Sequence, residues 1–229
     1  EDEFTLIGTT DVEYEGDPAT PAISKDEVTY LCEAINRAFK TTISPLQIVH
    51  TYSGVRPLLD DGEGKAAAVT RDYRLIHGDE NAPPLLSVFG GKITTYRHLA
   101  EEAVNDIIGG TPWTKTEPLP GGQIDDFTTF LEDCTISYPW LPTPLLMRYA
   151  RQYGTMIHTM LAGLDSMVEL GRHFGAGLYE VEVEYLVRNE WAVTAEDILW
   201  RRTKLGMRLS DNAVHSLQTA LNVIRKATS

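Results

Sequence analysis

The chain has 229 residues, 42% of them hydrophobic and 23% charged, which is the composition of an ordinary folded protein with a sizeable core and one or two domains. Its 20 Lys and Arg against 33 Asp and Glu give a formal charge of −13 with no dominant basic run, which excludes nucleic acid as a partner held through its phosphates. Cys32 and Cys134 are its 2 cysteines, too few for a zinc ribbon, an iron–sulfur cluster or a disulfide framework, and they read as buried thiols of a cytosolic protein.

Phe4 to Gly8 is apolar and β-prone, and predicts a strand ending in a loop that presents Thr9, Thr10 and Asp11. A start on Glu-Asp-Glu-Phe, without methionine and with a strand already under way, suggests a piece of a longer protein. No run approaches the roughly 18 apolar residues of a membrane-spanning helix, and no signal peptide is visible. Asp17 to Ala22 is a proline-bearing connector. Ser24 and Glu27 form a capping box for a helix whose apolar positions are Val28, Leu31, Ile35 and Phe39.

Gln47 to Leu58 predicts a strand running into a loop, with Gly54 allowing close backbone approach and Arg56 offering a fork suited to a carboxylate or phosphate. Asp60 to Lys65 is a polar loop. Val69 to Ile76 partly alternates and should pair with Leu85 to Phe89 as an antiparallel hairpin, with Arg71 and Tyr73 on one face. The unbroken run Leu85 to Phe89 predicts a strand buried on both faces.

Gly90 and Gly91 end that strand, and Ile93, Tyr96, Leu99, Ala100, Ala103, Val104 and Ile107 follow with helical spacing, so one face of a helix should be buried. Thr94 or Thr95 is the expected N-cap. Side-chain-free glycines let backbone N–H groups approach a ligand, and the helix N-terminus favours an anion. Lys92 in that first turn opposes the helix dipole unless an anion is there too. Local sequence is equally compatible with a plain tight turn and a solvated Lys92. Arg56, Arg71 and Lys92 lie on neighbouring strands or strand ends and form a local basic cluster in an acidic chain.

Residues 109–122 are rich in glycine and proline and read as a linker, dividing an α+β region at 1–110 from a helical region at 123–229, with 111–122 between them. Beyond it, helices are expected from Pro144 to Leu161, from Leu178 to Trp191 with an acidic face of Glu180, Glu182 and Glu184, from a Thr194/Asp197 box onward to Gly206, and from Ser210 or Asp211 through Ile224. The 6 histidines show no metal-binding spacing, and no nucleophile triad or internal repeat is present.

FTLIGTTDVEYEGDP, TYSGVRPLLDD, AVTRDY, LLSVFGGKITTYRHLAEEAV, WTKTEPLPGG, EVEYLVRNEWA and DILWRRTKLGM together resemble the C-terminal half of the aerobic, FAD-dependent glycerol-3-phosphate dehydrogenases, in order and spacing over essentially the whole chain. The resemblance implies a flavoprotein that oxidises glycerol 3-phosphate to dihydroxyacetone phosphate and passes electrons to quinone at the inner face of the cytoplasmic membrane, with homodimerisation possible. It implies an α+β fold: part of a mixed or antiparallel substrate-binding sheet with flanking helices, then an all-helical cap domain.

The same resemblance implies residue roles. Arg56 and Arg71 would grip the substrate phosphate; Lys92 would serve both substrate and catalysis, with Arg56 beside it. Gly54, Arg56, Gly90, Gly91, Lys92, Ile93 and Thr94 would line the flavin, and no metal is implied. Two other readings are an amine or amino-acid oxidase of related fold and a helical dimerisation or docking module. No G-x-G-x-x-G follows a strand here, so the ADP-binding half of an FAD site is not in this sequence, and the chain alone is expected neither to hold FAD tightly nor to turn over. The cysteine count separates it from the anaerobic relatives, whose C-terminal extension is cysteine-rich.

Overall fold

The computed structural model describes residues 4–56 and 72–228. Its contacts divide into two compact units, Glu1–Glu117 and Pro118–Ser229.

In the first unit, α1 (Lys25–Ala38) starts at the predicted capping box: the Glu27 N–H donates to Ser24 Oγ at 3.2 Å and the Ser24 N–H to Glu27 Oε2 at 2.9 Å. Thr10 Oγ1 also donates to Glu27, and these donors, Thr10 foremost, hold the carboxyl below its ordinary value. Phe4 to Gly8 and Ile48 to Arg56 join no sheet among the described residues, although both were expected to be strands. A strand exists by pairing, and the two described strands of this unit pair with each other.

Those two are β1 (Tyr73–His77) and β2 (Leu86–Gly90), an antiparallel hairpin with Tyr73 opposite Gly90 and His77 opposite Leu86. The hairpin was expected from the sequence. Its burial was not as expected: Val88 and Phe89 are 48% and 44% exposed, so β2 is not covered on both faces within this unit. The following α2 (Tyr96–Ile108) has Ile93, at its approach, and Tyr96, Val104 and Ile107 exposed, with Leu99 and Ala103 half-buried, so its apolar stripe is only partly covered. Among the described residues of this unit only Cys32 is buried.

The second unit holds a continuous core. α3 (Phe127–Ser137) is capped by Asp126, which accepts from the Thr129 N–H at 2.8 Å. α4 (Thr143–Tyr153) buries Leu145, Leu146, Tyr149, Ala150 and Tyr153 on one face. The single helix expected through Leu161 breaks at Gly154, whose φ is +52° and whose Cα lies so close to the Gly121 carbonyl that a Cβ would overlap it. The Thr155 N–H donates to that carbonyl at 3.1 Å, and a short helix, α5 (Ile157–Met160), follows.

A small hairpin, β3 (His173–Gly175) with β4 (Leu178–Tyr179), leads into α6 (Glu180–Asn189). The expected acidic face of α6 is corrected here, because Glu182 is fully buried. Thr194 and Asp197 form the reciprocal cap predicted for them, but the helix they start is a π-helical turn, Asp197–Arg202. Both the N–H and the hydroxyl of Thr203 bond to the Ile198 carbonyl, at 2.9 and 2.7 Å, which fixes the wider turn. The last helix, α7 (Asp211–Thr228), buries Leu217, Leu221 and Ile224 against this core. No described helix is long and apolar enough to cross a membrane.

Candidate functional site

The hairpin β1–β2 delivers the glycine turn. Gly90 and Gly91 have φ of +72° and +100°, which L side chains rarely adopt, and a Cβ on Gly90 would approach the Asp72 carbonyl to 2.7 Å. The close packing of β1 under the turn therefore requires glycine at position 90. Lys92 resumes an extended conformation and is exposed. Ile93–Thr95 forms a 3-10 turn that runs directly into α2, and Ile93 is 87% exposed.

Thr95 occupies the N-cap position of α2 as expected, but its side chain makes no capping bond to the helix. Thr95 Oγ1 donates to the Lys92 carbonyl at 3.0 Å and accepts from the Lys92 N–H at 3.3 Å, closing the turn on itself. The amides that open the helical run precede its first intrahelical bond, so they are donors at the mouth of the turn. Glycine backbone, two helix-opening amides, exposed Lys92 and exposed Ile93 make a surface that would take the edge of a flat, anionic heteroaromatic ring. That fits a flavin, with apolar contact from Ile93 and positive potential from Lys92 and the helix end.

Arg56 is drawn to another predicted loop residue: its Nη1 lies 3.1 Å from Asp11 Oδ2, with the two side chains 55% and 49% exposed. Gly54 has open space about its Cα. Arg71 lies outside the described residues. The structure thus groups Gly90, Gly91, Lys92, Ile93 and Thr94 in one turn and joins Arg56 to Asp11.

Sequence reasoning overlooked the polar face of α2. Tyr73 OH lies 2.6 Å from His98 Nδ1 and donates to Glu102, while His77 Nε2 lies 2.7 Å from Asp106 Oδ2. The bond to Glu102 is the main reason the Tyr73 phenol is pushed up to about 12. Arg97, Glu101 and Thr114 form a second cluster: Glu101 accepts from the Trp113 and Thr114 amides at 2.7 and 2.8 Å, and from Arg97 at 3.2 Å. These bonds, the Thr114 amide first, hold the Glu101 carboxyl below its ordinary value. His98, Glu101, Glu102, Asn105, Asp106 and Pro112 line an open cavity of about 350 Å³. The signal was present in sequence as His, Glu and Asp at four-residue steps along α2. Among the described residues no cluster of His, Cys, Asp and Glu could hold a metal ion.

Residues 112–229 match the family model described as the C-terminal domain of alpha-glycerophosphate oxidase, and residues 1–97 match the FAD dependent oxidoreductase model. The chain is 49% identical over 216 residues to a glycerol-3-phosphate dehydrogenase of Pseudomonas aeruginosa, covering 91% of this chain and 42% of that protein. It is 48% identical over 219 residues to the aerobic glycerol-3-phosphate dehydrogenase of Escherichia coli, covering 91% and 43%. It is also 46% identical over 219 residues to a D-erythritol 1-phosphate dehydrogenase of Brucella abortus, covering 92% and 43%. The chain thus spans less than half the length of these relatives.

Proposed function

The chain belongs to the family of the C-terminal domain of alpha-glycerophosphate oxidase, which its residues 112–229 match, and from that premise we propose that it is part of an FAD-dependent dehydrogenase of glycerol 3-phosphate. The carrying observation is the Gly90–Gly91–Lys92 turn heading α2, half-buried at its glycines and exposed at Lys92, which falls within the stretch matching the FAD dependent oxidoreductase model. FAD, when bound, would supply the acceptor for the hydride of the substrate's secondary alcohol, giving dihydroxyacetone phosphate.

The chain's own residues have three tasks in this reading. Gly90 and Gly91 keep side chains out of the way of the ring, and the amides that follow set partial positive charge against its edge. Lys92 reinforces that charge and faces the reacting carbon. Arg56 and Arg71 take the phosphate, each able to donate in pairs, with the Asp11 carboxylate on Arg56 Nη1 as a competitor for that guanidinium. Residues 1–110 would then belong to the FAD and substrate domain and 123–229 to a cap joined through 111–122. In the longer protein, electrons leave to a quinone at the cytoplasmic face of the membrane, to which the enzyme is peripherally attached, with a homodimer as a further expectation.

The decisive experiment assays the full-length protein for flavin content and for reduction of a quinone analogue by glycerol 3-phosphate and by unphosphorylated glycerol. Turnover with the phosphate ester alone is expected; absence of flavin, or equal rates with glycerol, overturns the reading. A second substrate is supported by the Brucella abortus relative, whose identity is close to that of the glycerol-3-phosphate dehydrogenases. Erythritol 1-phosphate therefore belongs in the same assay.

A further inference from the structure

The glycine turn cannot set its own angle. Two residues without side chains leave the direction of α2 to whatever holds that helix against the hairpin, and its apolar stripe does little of this, since Tyr96, Val104 and Ile107 stay exposed and Leu99 and Ala103 are half-buried. The directional contacts that join α2 to β1 are polar. Tyr73 reaches His98 and Glu102, and His77 reaches Asp106, so strand and helix run in the same direction, tied at two points.

The first tie lies at the turn itself. Tyr73 stands opposite Gly90 in the ladder, and a Cβ on Gly91 would lie 3.6 Å from Tyr73 Cβ. A phenol has one proton to give. Because Tyr73 gives it to Glu102, the 2.6 Å contact with His98 requires His98 Nδ1 to be the donor. The hydroxyl thus uses both its capacities to bind two successive turns of α2, and removing that one oxygen breaks both bonds.

We propose that Tyr73 is a positioning residue for the Gly90–Lys92 turn, fixing the start of α2 so that Lys92 and the first helical amides meet the flavin edge at one angle; this rests on the flavin reading above. Tyr73 acts through the helix and does not touch substrate in this scheme. Its loss should appear in the chemical step more than in substrate binding, since small misplacement of a catalytic group lowers rate without removing a binding contact.

The test uses the full-length enzyme with Tyr73→Phe, Glu102→Ala and the double variant. The expected result is a drop of about 10-fold in flavin reduction at saturating substrate for each single variant, KM within about twofold, and no further drop in the double variant. The bound flavin's absorption band or midpoint potential should also shift, which lost stability alone would not cause. A folded Tyr73→Phe enzyme reducing its flavin at the wild-type rate with an unshifted band overturns the proposal. If Tyr73→Phe does not fold, Glu102→Ala, at a half-exposed position and without an acceptor for the phenol, carries the same criterion. Lys92→Ala separates the two levels: if it too leaves flavin reduction intact, the flavin reading itself fails, whereas a Lys92 effect without a Tyr73 or Glu102 effect removes only the positioning role.

Discussion

Glu182 has no exposed surface, and both of its carboxylate oxygens accept from Arg148, at 2.7 and 2.6 Å. Tyr153 donates to the same carboxylate at 2.6 Å, and Arg148 Nη2 reaches the Gly177 carbonyl, so one buried charge ties α4, α6 and the β3–β4 turn together. Burial first, and then the Glu182 charge, raise the Tyr153 phenol well above its ordinary value, so it remains a donor. Removing Glu182 would leave Arg148 without its counter-charge, at a cost of about 3–5 kcal/mol. Thermal unfolding of Glu182→Ala should show a midpoint lower by about 10 °C or more, while Arg148→Met with Glu182→Leu should recover much of the loss.

Gly154→Ala should destabilise the second unit by about 2 kcal/mol or more, since it combines a left-handed backbone with overlap on the Gly121 carbonyl. Denaturant titration of wild type and variant would read this directly. A wild-type midpoint would mean that the break between α4 and α5 has another cause.

The Glu101 clasp on Trp113 and Thr114 carries a pH sign. Its folded carboxyl titrates below the unfolded one, so the clasp contributes fully above the ordinary glutamate range and is lost as pH falls through the depressed folded value. Hydrogen-exchange protection of the Trp113 and Thr114 amides should hold at neutral pH and drop under strong acid. Glu101→Gln should show the drop already at pH 7.

In the full-length protein, Lys92→Ala should lower kcat by about 100-fold if it stabilises charge at the reacting centre, and Arg56→Ala should act mainly by raising KM. Steady-state kinetics with glycerol 3-phosphate would separate the two. Residues 1–229 purified alone should show no stoichiometric flavin band at about 450 nm, since the ADP-binding fingerprint is not among them.

Local rules made much of this legible. The Ser24/Glu27 box located α1, and alternation with a polar turn located the β1–β2 hairpin. Two kinds of feature escaped. Periodicity says which residues share a face but not what covers it, so the partly covered stripe of α2 and the buried Glu182 were both misjudged. Glu182 finds Arg148 34 residues away in sequence, a pairing no local window contains. The π-turn at Asp197–Arg202 depends on Thr203 returning to Ile198, where a 3.6-residue period predicts a different partner. At the site, the GGK turn was visible because glycine and lysine are informative residue types. The tie through Tyr73 was not, because tyrosine in a strand reads equally well as packing.

If Arg56 takes the substrate phosphate as proposed, its pair with Asp11 makes that grip a competition rather than an open hand. An incoming anion would meet a carboxylate already on Nη1 of that guanidinium, a contact worth about 1 kcal/mol or less at so exposed a site. A monoanionic carboxylate exchanges like for like and gains nothing, whereas a dianionic phosphate brings a second charge and a third oxygen. In that scheme the internal aspartate would bias Arg56 toward phosphate esters over amino and hydroxy acids by about fivefold at most. Asp11→Asn should remove that bias and narrow the gap between phosphate esters and the weaker anions.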